Sequence, residues 1–79
     1  MTAKEFNEKY KSHLEEGHYG LAIENQSIIS YLDKEFESEI QENPDFTFSQ
    51  IKFKFGMPRV YTSSFKSSKW EYEIDNMSR

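Results

Sequence analysis

The chain has no cysteine, and only three glycines and two prolines among its 79 residues. Without thiols there is no disulfide framework and no thiolate metal site. The glycines, Gly17, Gly20 and Gly56, are too scattered to form a phosphate-cradling loop. No run of 18 apolar residues occurs, so no membrane span is expected. The start, Met1-Thr2-Ala3-Lys4-Glu5, lacks the apolar segment of a signal peptide and reads as the first turn of a helix. A small cysteine-free chain of this kind is expected in a reducing cytoplasm. Aliphatic side chains are few, and the compensation is aromatic. Seven Phe, five Tyr and one Trp are present, each able to bury roughly 150–250 Å². A chain of this length has room for one domain with one small core and buries only about 60% of its unfolded surface.

Acid is missing from one long stretch. Residues 1–43 carry 4 Lys against 10 carboxylates, whereas nothing from Phe46 to Trp70 is acidic and Lys52, Lys54, Arg59, Lys66 and Lys69 all lie there. Two readings follow. Acidic helices and a basic stretch can neutralise each other inside the fold, or the basic stretch can face a partner.

Periodicity places the elements. Thr2 and Glu5 form a capping box, and Phe6, Tyr10 and Leu14 recur at i+4, predicting a helix over 3–16 closed by Gly17. The spacing Ile28, Leu32, Phe36, Ile40, with Ile29 widening the stripe, predicts a second helix over 26–42, with Asn25 as N-cap and Asn43-Pro44 as stop. Its outer side, Asp33, Glu35, Glu37, Glu39 and Glu42, reads as a solvated face. Ser68 and Glu71 suggest a second capping box opening a helix over 69–77, with Trp70, Ile74 and Met77 inward. The connector 62–68 is polar, with Phe65 as its one docking side chain. Between the first two helices, His18-Tyr19-Gly20-Leu21-Ala22-Ile23 is too apolar for a surface loop and too short for a helix. It is expected to be extended and tucked against the core, as an irregular strand beside the hairpin. His18 and Tyr19, framed by glycines, suit a ligand-contacting turn or, equally, two rings that plug the end of the core.

The centre of the chain reads as a β-hairpin, with antiparallel strands over 47–55 and 59–63 turning at Gly56-Met57-Pro58. Ser49, Ile51, Phe53 and Phe55 alternate with Gln50, Lys52 and Lys54, which puts one set on a buried face and the other in water. Phe46 and Phe48 fall in the opposite phase. A β-bulge near Ser49 would let both sets face inwards. The expected fold is therefore α+β: a small single domain, α-α-β-β-α, with a β-hairpin packed on helices. Its expected core is Phe6, Tyr10, Leu14, Ile28, Leu32, Phe36, Ile40, Ile51, Phe53, Phe55, Val60, Trp70 and Ile74.

Function is less sharply written. His13 and His18 are poorly spaced for a shared metal, and no nucleophile–base–acid series stands out, so neither a cofactor, a metal site nor an enzyme is expected. Lys52, Lys54, Met57, Arg59 and Tyr61 form the candidate partner-binding surface: Arg and Tyr often dominate interfaces, and exposed Met adapts to a partner. A protein partner suits a chain with charged surfaces of opposite sign and a hairpin whose free edges can accept a strand. The alternative is a nucleic-acid-binding regulator, in which Lys52, Lys54 and Arg59 contact phosphates and Phe53, Tyr61 and Phe65 stack on bases.

The segment Gln50-Ile51-Lys52-x-Lys54-Phe55-Gly56-x-x-Arg59-x-Tyr61 resembles the hairpin core of a group of small uncharacterised proteins from phages and bacterial mobile elements. Phe53 stands where that group usually has Glu, and Met57-Pro58 where it has Gly-Leu. Many of its members add cysteines after the hairpin that this chain lacks, so no metal role carries over. The resemblance implies a genomic setting rather than a chemistry: an inhibitor or adaptor of a host protein, for example in anti-defence.

Overall fold

The sheet at the centre of the molecule is mixed, and the helix that crosses over it supplies Phe36, the ring around which the aromatic core is packed. The computed structural model describes residues 1–79. In chain order it contains α1 (Ala3–Lys9), a single 3₁₀ turn (Lys11–His13), β1 (Gly20–Leu21), α2 (Gln26–Glu42), β2 (Phe48–Lys54), β3 (Met57–Thr62) and α3 (Ser67–Met77). The fold is α+β, and the expected order α-α-β-β-α holds with one short strand added. No helix is long and apolar enough to cross a membrane.

The first helix begins as its sequence requires. Thr2 Oγ1 accepts the Glu5 N–H at 3.1 Å, and Glu5 Oε1 accepts the Thr2 N–H at 2.7 Å. It ends at Lys9, well short of Glu16. Leu14, the third residue of the i+4 stripe, is extended and bridges Phe48 in parallel, with the Glu15 N–H donating to the Phe48 carbonyl at 2.9 Å. The sheet thus takes the residues that periodicity alone would leave in the helix. His13 is fixed in passing, its Nδ1 lying 2.8 Å from the Phe46 carbonyl oxygen.

The apolar segment before α2 does become a strand. Gly20 and Leu21 pair in parallel with Gln50 and Ile51, and the Ala22 N–H donates to the Ile51 carbonyl at 2.9 Å. Gly20 has φ +74°, and a Cβ there would fall 2.4 Å from Asn7 Oδ1, so backbone and space both call for glycine. Leu21 and Ile23 are buried. Asn25 Oδ1 then caps α2 through the Ile28 N–H at 3.1 Å.

Phe36, at the middle of α2, is the hub of the core. Its ring lies 4.9–5.5 Å from those of Phe6, Tyr10, Phe46, Phe48 and Trp70, distances typical of favourable tilted and edge-to-face pairs. Phe46 and Phe48 are fully buried because the strand is bulged between Phe48 and Gln50. The extra residue re-phases the alternation, so that Phe48 and Ile51 face the same side. Phe53 and Phe55 depart from expectation. They are 38% and 93% exposed and lie outside the core, because the hairpin runs on past the helices. Leu14 and Ile40 are only partly buried.

The acidic side of α2 is a solvated face only at Glu37 and Glu42. Glu39 is buried, accepting from Ser64 Oγ at 3.2 Å with Lys66 Nζ at 3.5 Å. Glu35 accepts the Trp70 indole N–H at 2.9 Å. Asp33 accepts Lys9 Nζ at 2.8 Å and the Tyr10 hydroxyl, and Glu37 also binds Lys9. Burial works to raise the Asp33 carboxyl, but these two bonds outweigh it and hold the group below its usual value. One row of carboxylates therefore docks α1 and the next row docks α3.

The connector after β3 also differs from expectation. Phe65 does not dock and is 90% exposed, while Ser64 does. Lys66 is the N-cap residue of α3 and makes no side-chain cap bond; Glu71 is used elsewhere.

Candidate functional site

The hairpin turns through two residues rather than three. Lys54 pairs with Met57, and the connecting Phe55 and Gly56 have φ +55° and +77°. Positive φ at both positions marks a type I′ turn, whose twist matches that of the strands. Pro58 accordingly sits in β3, opposite Phe53, and not in the turn. It is tolerated there because β3 is an edge strand and this pair is a non-hydrogen-bonded one, so the missing N–H would have pointed away from β2.

The register then decides which side chains share a face. Gln50 opposes Tyr61, Lys52 opposes Arg59, and Lys54 opposes Met57. Directly opposed residues point to the same side of a sheet. Ile51 and Val60 of the intervening pair are buried against the helices. The five candidates Lys52, Lys54, Met57, Arg59 and Tyr61 therefore lie together on the outer face, with Met57 and Tyr61 close to half exposed.

The ion pairs divide the basic stretch in two. Lys66 and Lys69 return to Glu39, Glu42 and Glu35 of α2, and Lys9 answers Asp33 and Glu37. Lys52, Lys54 and Arg59 make no ion pair, and the Arg59 guanidinium has only a 3.5 Å contact to the Pro58 carbonyl. Internal neutralisation thus accounts for the lysines after the hairpin and leaves out those within it.

Both edges of the sheet are occupied where a strand would add. At β1 the Asn7 side chain accepts the Leu21 N–H at 2.8 Å and donates to the Leu21 carbonyl at 3.0 Å, as a strand would. At β3 the Glu71 carboxylate accepts the outward Val60 N–H at 2.8 Å. The free hairpin edges expected for strand addition are closed at these points.

His18 and Tyr19 are both exposed, Tyr19 by 80%. They do not plug the core, and neither lines a cleft. No three His, Asp or Glu side chains are grouped to hold a metal ion. The clefts are shallow. One of about 340 Å³ is lined mainly by hydroxyls, among them Thr47, Ser49 and Ser63 beside Tyr61. Another of about 210 Å³ lies between Met57, Pro58 and Arg59 of β3 and Glu71, Tyr72 and Asp75 of α3. Sequence reasoning missed Phe55 and Tyr72 as surface residues. The two-residue spacing of Lys54 and Met57 around Phe55-Gly56 was the available signal. No family model, no curated protein and no solved structure matches the chain.

Proposed function

We propose that this chain is a small protein-binding module that meets its partner with the outer face of the hairpin. The observation that carries the reading is the unpaired charge of Lys52, Lys54 and Arg59, on the same face as Met57 and Tyr61. Lys9, Lys66 and Lys69 anchor α2, whereas the hairpin gathers three unpaired cations on one face beside Met57 and Tyr61. Arg and Tyr at the centre of such a face are the types that most often dominate binding energy. Because the sheet edges are blocked at Leu21 and Val60, contact is made through side chains rather than by strand addition. The resemblance of the hairpin to phage and mobile-element proteins favours a host protein as the partner, with this chain acting as its inhibitor or adaptor and performing no chemistry of its own.

The test replaces Met57, Arg59 and Tyr61 singly with Ala, then measures melting temperature and partner capture from a bacterial lysate. The reading expects capture to fall while melting is unchanged. Capture that survives all three, or losses that track unfolding, would place the binding site elsewhere.

A second reading, a nucleic-acid-binding regulator, is favoured by one observation: the outer face carries no carboxylate. It predicts binding to DNA or RNA that weakens steeply with salt, with Lys52→Ala, Lys54→Ala and Arg59→Ala each lowering the slope by about one. Absence of binding at low salt removes it.

A further inference from the structure

The tip of the hairpin holds a residue that folding alone does not explain. Phe55 is 93% exposed, and the one side chain placed over its ring is Lys54, whose Nζ lies 5.9 Å from the centroid. It is also the only non-glycine residue with positive φ, at +55°. A bulky side chain is uncommon in that region, and the first position of a type I′ turn ordinarily takes Asn, Asp or Gly. Left-handed backbone costs a residue with a Cβ about 1 kcal/mol or more. Phe55 is therefore unfavourable twice over, in backbone and in solvation. A strained, exposed residue at a projecting turn is a reason to look for function there.

Apolar side chains lie beside it on both faces of the hairpin. Phe53 on one side of the hairpin is 38% exposed and Met57 on the other is 48% exposed. β1 reaches only as far as Ile51, so no third strand flanks this end. The apolar tip is bordered by Lys52, Lys54 and Arg59, and no acidic residue occurs anywhere in β2, the turn or β3. The complement of that pattern is an apolar hollow with carboxylates around it.

We infer that Phe55 is the anchor of the partner contact, seated in an apolar pocket of a protein whose rim is acidic, with Lys52, Lys54 and Arg59 facing the rim. This deepens the protein-binding reading and rests on it. A protein pocket fits better than a polyanion or an anionic bilayer. Glu71 and Asp75 border the cleft beside Met57 and Arg59, so an extended negative surface closing over the tip would meet two carboxylates at its margin. A pocket that grips the tip meets them only where its rim passes Arg59.

The experiment uses a photo-crosslinking benzophenone amino acid at position 55 of the full chain. It is irradiated in bacterial lysate, with single-stranded DNA, and with vesicles of phosphatidylserine and phosphatidylcholine. The expected product is a crosslink to one protein, mapped to apolar residues flanked by Asp or Glu. Wild-type chain displaces it, and Phe55→Asn displaces it about thirtyfold less well, the loss typical of a dominant contact. Since Asn-Gly is the preferred I′ sequence, Phe55→Asn melts no lower than wild type, which separates anchoring from a structural role. The anchor is overturned if Phe55→Asn competes equally, if the mapped site lacks carboxylates, or if DNA or lipid takes the crosslink instead. The same crosslinker at position 61 distinguishes the two levels. Specific protein capture at 61 but not at 55 keeps the binding reading and discards the anchor, and capture at neither discards both.

Discussion

The carboxylate of Glu71, one turn into α3, accepts the backbone N–H of Val60 at 2.8 Å, from the edge strand of the sheet. Val60 is buried, so that N–H has no ready alternative in water. A buried donor left without its acceptor costs about 1–3 kcal/mol. Glu71→Ala should therefore destabilise the protein by that amount in denaturant titrations, while Glu71→Gln, which keeps an oxygen acceptor, should cost less. Opening this edge should also make Glu71→Ala self-associate, as sedimentation at rising concentration would show.

The aromatic hub gives the largest expected loss. Phe36→Ala removes the ring against which five others pack and should cost about 3–5 kcal/mol. For a 79-residue domain, whose whole stability is on the order of 4–12 kcal/mol, that approaches unfolding. Phe65→Ser should change stability by less than about 1 kcal/mol, since Phe65 is 90% exposed. Far-ultraviolet circular dichroism during thermal melting distinguishes the two.

Carboxylates of α2 that look alike in sequence should behave differently. Glu39 is buried against Ser64 and Lys66, whereas the Glu42 side chain is 70% exposed and lies 3.8 Å from Lys66. Glu39→Ala should cost about 1–3 kcal/mol, because it strands the Ser64 hydroxyl and leaves Lys66 only its longer contact to Glu42. Glu42→Ala should stay within about 0.5 kcal/mol, as exposed pairs do. A double variant lacking Glu39 and Ser64 would reveal their coupling as non-additivity.

Stability should fall on both sides of neutrality. Asp33 is held below its usual value, so its contribution is present above the unfolded carboxylate value of 3.8 and is lost as pH drops further. On the alkaline side, burial raises Tyr10 above its ordinary value, and burial together with the nearby Glu35 and Glu73 pushes Tyr31 up to about 12. Their contribution is complete below the unfolded value of 10 and disappears as pH rises through the folded values. Melting temperature should thus be level through the neutral range and decline below about pH 4 and above about pH 10. The Tyr31 hydroxyl is buried without a partner, so Tyr31→Phe should match or exceed wild type at neutral pH and flatten the alkaline decline.

Much of this was legible in the sequence, and the exceptions share a physical cause. The stripe from Ile28 to Phe36 placed α2, and the clash of phase between Phe48 and Ile51 placed the bulge. The strand alternation put Lys52, Lys54, Arg59 and Tyr61 on one face, and Met57, expected in the turn, joins them through its pairing with Lys54. What misled was long-range demand on residues with good local alternatives. Leu14 continues a helical stripe but is needed at the sheet beside Phe48. Glu71 could have closed a capping box with Ser68, yet it serves Val60. Phe55 continues the apolar alternation of β2 but falls in the turn, because Pro58 is acceptable inside an edge strand and the turn moves back by one residue. Glu35 and Glu39 looked solvated because nothing local announces Trp70 and Ser64 as their partners.

The parallel bridge between Gly20-Leu21 and Gln50-Ile51 spans the whole of α2. This has a bearing on how the chain is made. A hairpin closes on itself within about 1–10 μs, but β1 leaves the ribosome well before the strand it must lie beside. At roughly 5–20 residues per second, Leu21 and Ile23 wait on the order of seconds for Ile51 to emerge. For that interval the nascent chain carries uncovered apolar surface, and the net negative charge of its first half opposes association with other chains.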